Sequence, residues 1–202
     1  LDDRLPGLST LRDNTLGDPR VTVVVLDGDP DLALSCFQGA EISRKYPFWH
    51  QRADPISAQQ HAFYRQILES DLEPEAFEEA LVTSFEPPIL NRIMGDRHAT
   101  HVTSTIAGRP GSPAPGIAPD CRVIVVPLNE MGDPGEFMSP LNIARGFELD
   151  QELGANVIHC AACVPPEPDQ PMELLARAVK QCLDNNILIV APVGNDGGDC
   201  RC

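Results

Sequence analysis

No stretch of this chain approaches the roughly eighteen consecutive apolar residues that a membrane-spanning helix needs, so no transmembrane segment is expected. The start, Leu1-Asp2-Asp3-Arg4, lacks the basic end and apolar core of a secretory signal. Positive charge is scarce as well. Fifteen Lys and Arg stand against 30 Asp and Glu, a formal charge of −15. A surface of that sign cannot neutralise phosphates, which excludes a nucleic-acid partner, and it disfavours an anionic membrane surface. It serves solubility and is compatible with a peptide substrate carrying basic groups. Aromatics make up only 5% of a chain that is 42% hydrophobic, a balance that suits an α/β domain with strands rich in Val, Ile and Leu.

The seven cysteines (Cys36, Cys121, Cys160, Cys163, Cys182, Cys200 and Cys202) are too few for a disulfide scaffold at 202 residues. Cys160-Ala161-Ala162-Cys163 has C-x-x-C spacing, but Cys200-Arg201-Cys202 is a poor second half for a zinc site. The first pair also ends an apolar run, where a redox motif would open a helix. No metal and no cofactor are expected, and free thiols fit a reducing cytoplasm.

Strand-like and helix-like segments alternate. Val21–Leu26 is an unbroken β-branched run, a strand buried on both faces; Arg122–Leu128, Asn156–Cys160 and Ile187–Val193 are further strands. Helices are expected before Val21, over Pro140–Leu153 and over Met172–Leu183. Strands separated by helices predict parallel β-α-β units. Between Gln38 and Arg92 the pattern changes. Ser57 is set to cap a helix running to Leu68, and Pro74 to open a second helix to Thr83, with Glu75 near its positive end and Pro87-Pro88 closing it. A helix-turn-helix insert over residues 51–88 follows. His98 is expected at the start of the next helix.

Three residues stand at the ends of these elements where open α/β sheets gather their chemistry. Asp27 ends the first strand, His98 opens a helix and Asn195 follows the last strand. Asp29 and Asp31 compete with Asp27 for any role. The order and local contexts resemble the subtilisin-like serine proteases, the subtilases. Val23-Val24-Val25-Leu26-Asp27-Gly28 is similar to the family's aspartate motif, and His98-Ala99-Thr100-His101-Val102 to its histidine motif, with alanine in place of glycine. Gly116-Ile117-Ala118-Pro119, Asn156-Val157-Ile158 and Gly194-Asn195-Asp196-Gly197 match further family segments.

The phrases Asp27-Gly28-Asp29-Pro30-Asp31, Leu34-Ser35-Cys36-Phe37, Met138-Ser139-Pro140-Leu141-Asn142 and Val157-Ile158-His159-Cys160-Ala161 resemble, more narrowly, the macrocyclase domains of cyanobactin biosynthesis. Those enzymes also carry a helix-turn-helix insert ahead of the histidine. The resemblance implies a subtilisin-like parallel sheet flanked by helices, incomplete at its C-terminus, so that residues 1–202 form the N-terminal portion of one domain. It implies that Asp27 orients His98, that His98 serves as base and acid, and that Asn195 stabilises the oxyanion. Gly132 and Gly135 would pair with substrate backbone. Ala161, Ala162 and Cys163 would face Pro192, Val193 and Gly194 across the primary pocket. A disulfide from Cys163 to Cys202, with Cys200 competing, is implied too.

The family's Gly-Thr-Ser nucleophile motif does not occur in the 202 residues, and Ser104 and Ser139 lack its context. The implied partners are a precursor peptide and the remaining C-terminal part of the domain. The implied activity is removal of a C-terminal recognition tail from a ribosomal precursor and cyclisation of its core. An ordinary hydrolytic subtilase and a non-catalytic peptide-binding pseudoprotease remain open. Between Gln51 and Pro87 the chain has no lysine, only Arg52 and Arg65, and is rich in Glu, which departs from inserts that hold an acidic tail with lysines.

Overall fold

The computed structural model describes residues 6–49, 56–128, 139–161 and 172–192. In chain order the elements are α1 (Leu8–Asn14), β1 (Thr22–Asp27), a 3-10 turn (Ser35–Phe37), β2 (Ile42–Arg44), α2 (Ala58–Leu68), α3 (Pro74–Ser84), α4 (Pro87–Ala107), β3 (Arg122–Pro127), α5 (Pro140–Glu152), β4 (Val157–Cys160), α6 (Met172–Asp184) and β5 (Leu188–Val190). The strands form one parallel sheet in the order β2-β3-β1-β4-β5, as the alternation of strands and helices predicts.

β1 lies in the middle of that order and is buried at all six positions, which its continuous β-branched run requires. Alternate residues feed two cores. Val24 and Leu26 join Ile124, Val126 and Ile158 beneath α5 and α6, where Ile143, Phe147, Ala178 and Cys182 cover them. Val23 and Val25 face the other way, with Val123 and Val125 against Ala107 of α4. Each fully buried Val or Leu here contributes about 1.5–3 kcal/mol relative to exposure. A third cluster lies outside the sheet, where Tyr64 and Ile67 of α2 and Leu81 of α3 pack on Leu90 and Ile93 of α4.

Ser57 caps α2 as expected. Its hydroxyl accepts the Gln60 N–H, and the Gln60 side chain accepts the Ser57 N–H, a reciprocal capping box. Pro74 occupies the first turn of α3 with Glu75 beside it. Two expectations are corrected. Pro87-Pro88 does not end the insert: Glu86 is extended and Pro87 starts α4, because proline suits a first turn whose N–H groups have no partner. α4 therefore runs 21 residues, about 31 Å, and His98 is its twelfth residue rather than its first. β2 was not expected, since three residues are too few to show alternation.

The far end of α4 explains the Gly116-Ile117-Ala118 motif. The N–H groups of these residues donate to the carbonyls of Gly108, Thr105 and Ile106, satisfying acceptors that a helix end leaves open. A Cβ on Gly116 would sit 2.5 Å from the Ile106 oxygen, so a side chain there would force that cap apart.

Asp150 of α5 is fully buried, and neither carboxylate oxygen has a hydrogen-bond partner among the described residues. Burial raises its pKa well above the usual carboxylate value and, together with the nearby Asp150 charge, pushes the Cys182 thiol up to about 11. A raised carboxylate binds a proton in the folded state that the unfolded chain has released, so stability falls as pH climbs from the ordinary value through the folded one. Asp150→Asn should therefore stabilise the protein at pH 8 by about 1–3 kcal/mol and leave it nearly unchanged at pH 4. Urea melts at the two pH values test this; equal wild-type and variant midpoints at both would exclude it.

Candidate active site

The end of β1 is held by its neighbour, with the Leu128 N–H donating to the Asp27 carbonyl at 2.8 Å. The Asp27 side chain is 3% exposed, whereas His98 is 54% exposed. Asp27 Oδ1 accepts the Gly28 N–H at 2.8 Å, and His98 Nδ1 lies 3.0 and 2.9 Å from the two carboxylate oxygens. An ionised carboxylate only accepts, so Nδ1 carries the donated hydrogen and Nε2 of the neutral ring keeps a free lone pair. That is the orientation a general base needs.

Close approach of two backbones makes the pair possible. A Cβ on Gly28 would lie 2.6 Å from the Gly95 oxygen and 2.7 Å from its carbon, so the missing side chain lets β1 and α4 meet. The flanking aspartates, rivals of Asp27 in the sequence, secure this contact instead. The Asp29 N–H donates to Asp96 at 3.2 Å, and the Asp31 N–H to the Thr100 hydroxyl at 2.9 Å, which in turn donates to the Asp96 carbonyl at 2.6 Å. The Asp29 carboxylate pairs with Arg44 and accepts the Tyr46 hydroxyl at 2.7 Å. Trp49 reaches across to α5, donating to Asn142 at 2.7 Å. On the insert side, the Arg97 guanidinium lies 5.0 Å from the centre of the Tyr64 ring.

A second histidine, quoted in the Val157–Ala161 phrase but given no role there, lies near the site. His159 is paired in register with Val25 and Val190, which places it on the Asp27 face of the sheet by strand alternation. Its Nδ1 is buried without a partner among the described residues. Burial lowers its pKa, opposed by the Asp27 charge and reinforced by His98. His98 moves the other way, raised by its hydrogen bond to Asp27 against a smaller effect of burial. Of the two rings, His98 takes the first proton.

Of the expected pocket residues, the Ala161 N–H donates to the Leu26 carbonyl at 3.2 Å, and continuing the His159–Val190 register sets Ala161 level with Pro192. Both stand at the carboxyl end of the sheet, Ala161 on the strand next to Asp27 and Pro192 one strand further out. Gly132, Gly135, Ala162, Cys163, Val193, Gly194, Asn195, Cys200 and Cys202 lie outside the described residues.

Comparison with solved structures places this geometry. The chain is similar to a PatG macrocyclase domain at 49% identity and a TM-score of 0.84, covering 96% of this chain and 62% of that one. It is similar to a PatG macrocyclase in complex with peptide at 48% identity and a TM-score of 0.87, covering 97% and 58%. The chain is thus similar to subtilisin-like peptide-processing proteases and macrocyclases, and its α/β architecture is subtilisin-like. The subtilisin-like protease Apa1 of the Antarctic Pseudoalteromonas sp. AS-11 shares the fold at 16% identity and a TM-score of 0.53, over 95% of this chain and 36% of that one. No family model and no curated protein matches. The chain spans about three-fifths of the length of the PatG structures, from the 62% and 58% covered.

The His98–Asp27 bond gives a titration test. A histidine raised above its ordinary 6.5 stabilises the fold fully below that value, and the contribution is lost as pH rises through the folded pKa. Asp27→Asn, which removes the charge, should move the His98 midpoint downward in an NMR titration. Gly28→Ala, which wedges β1 from α4, should move it the same way with Asp27 intact. A midpoint unchanged in Gly28→Ala would mean that the close backbone approach does not set the pair.

Proposed function

We propose that this chain is the N-terminal portion of a serine peptidase domain that cleaves a C-terminal recognition tail from a ribosomal precursor peptide and closes the core into a ring. The observation that carries this reading is the sharing of α4. One half of the helix bears His98 against Asp27, and the other half is clamped by α2 and α3 through Leu90 and Ile93. Its similarity to PatG macrocyclase domains, one of them solved with a peptide, supports the same reading. So does the apolar face of β5, where Leu188 and Val190 are exposed, a surface suited to the remaining part of the domain.

The chemistry assigns each group a step. A serine from the part of the domain beyond these residues attacks the scissile carbonyl, and His98 Nε2 takes its proton. Asn195 donates to the oxyanion. His98 then returns the proton to the amine of the leaving tail, and an ester joins serine to core. The peptide's own N-terminal amine attacks that ester, forming the ring amide and freeing the serine, which recovers a proton through His98. Gly132 and Gly135 pair with the substrate backbone, and Ala161–Cys163 with Pro192–Gly194 line the primary pocket.

Water at tens of molar competes at the ester. An amine held in place reaches an effective molarity of about 10⁵ M or more, enough to win if the retained peptide keeps it there. The insert is the cap that would retain the tail and exclude water. Cys36, Cys121 and Cys182 are buried free thiols, which supports a cytoplasmic setting.

Incubating the complete domain with a tailed peptide should yield a product lacking the tail and one water lighter than the linear core, read by mass spectrometry. A linear core alone, under conditions that permit closure, would reduce the reading to hydrolysis. His98→Ala should lower turnover by about 10⁴- to 10⁶-fold.

A further inference from the structure

The two faces of the sheet are covered unequally. α5 and α6 close the face that carries Ile158, Cys160 and Ile189. On the other face α4 packs over β1 and β3, with Val102, Ile106 and Ala107 against Val23, Val25, Val123 and Val125. Farther out, that second face carries Val157 and His159 of β4 and, paired with them in register, Leu188 and Val190 of β5. Leu188 is 60% exposed and Val190 45%, so no described element covers β5 on this side. The Asp27–His98 pair stands at the border of the bare strip. Val25 pairs with His159, and Asp27 lies two residues further along the same face. A strand spacing of about 4.8 Å and a rise of about 6.6 Å over two residues set Asp27 and His159 about 8 Å apart, Cα to Cα.

That border decides the direction of approach. α4 already occupies the space over β1 and β3, so an element that carries a serine to His98 Nε2 finds its seat on the uncovered side, over β4 and β5. Leu188 and Val190 offer it an apolar surface, and apolar attraction is non-directional and tolerates sliding. His159 is the polar exception among those four strand residues. Its Nδ1 is buried without a partner among the described residues. Burial lowers its pKa and leaves a neutral ring with one donor and one acceptor nitrogen. A hydrogen bond demands both distance and direction. One polar group in an apolar contact fixes register in just this way between the helices of a coiled coil.

We infer that His159 is a positioning residue: its imidazole hydrogen-bonds the element of the remaining domain that carries the serine and fixes the register at which that element lies on β4 and β5. The inference rests on the proposed serine peptidase activity. His159 takes no proton from the serine; it acts through the distance from the serine to His98. A slip by one residue moves a helix about 1.5 Å along its axis, and a misplacement of about 1 Å costs about 10²-fold in rate.

The test uses the complete catalytic domain with His159 replaced by Leu, Asn or Gln. Leu removes both ring nitrogens, Asn keeps a polar atom near the place of Nδ1, and Gln keeps one near that of Nε2. His159→Leu should melt at or above the wild-type temperature, because an apolar group then meets an apolar face. It should nonetheless lose about 10²-fold in kcat on a tailed peptide, with KM within about twofold of wild type. Its serine should react with a fluorophosphonate more slowly by a similar factor. His159→Asn or His159→Gln should recover kcat to within about tenfold of wild type, and the one that does names the nitrogen used. A Leu variant with wild-type kcat, a loss confined to KM, or Asn and Gln variants no better than Leu would overturn the positioning role. So would a Leu variant whose melting temperature falls, which assigns His159 to stability. The fluorophosphonate separates the two failures. Equal labelling of the wild-type and Leu serines removes the positioning role alone, whereas a wild-type domain that does not label removes the peptidase reading beneath it.

Discussion

Where β1 ends, the Gly28 backbone lies against the Gly95 carbonyl, closer than any side chain would permit. That contact brings a strand end and a helix middle near enough for one imidazole to bridge them. Bonds from Asp29 and Asp31 to Asp96 and Thr100 hold it on both sides of His98. The buried run of β1 fixes one half of the contact, and the capped C-terminal turn of α4 steadies the other. A shift of α4 by an ångström would undo the pair while leaving the sheet intact.

Because α4 begins at Pro87, the same rigid helix also carries the insert. Tyr64, Ile67 and Leu81 pack on Leu90 and Ile93, and Arg97 lies over Tyr64 one residue before the histidine. The insert is thus built into the element that positions His98, with its own small core. Substrate held by the insert would be held relative to the imidazole, with no flexible linker between them.

Two histidines on one sheet face illustrate how surroundings divide one residue type into two roles. His98 gains a carboxylate partner and remains half open to solvent, so it favours its proton. His159 is partly buried beside β5, and lost hydration lowers its pKa despite the Asp27 charge and a backbone hydrogen bond with Val190.

Much of this was legible in local pattern. The β-branched run before Asp27, the Ser57 cap with Gln60 three residues on, and Pro74 with Glu75 each act within a few residues, so their outcome can be read along the chain. Failures came where distance in sequence mattered. Pro87-Pro88 reads equally as a stop or a start until Leu90 and Ile93 are seen to pack on the insert. β2 owes its existence to pairing with β3 rather than to three residues of its own. Asp27, Asp29 and Asp31 are equivalent as sequence; only the arrival of α4 and Arg44 gives the first to the histidine and the others to the scaffold. Short-range propensity chose the elements and the family motifs, whereas contacts between residues 67 to 71 positions apart brought Asp27 and His98 together and chose which of them form the site.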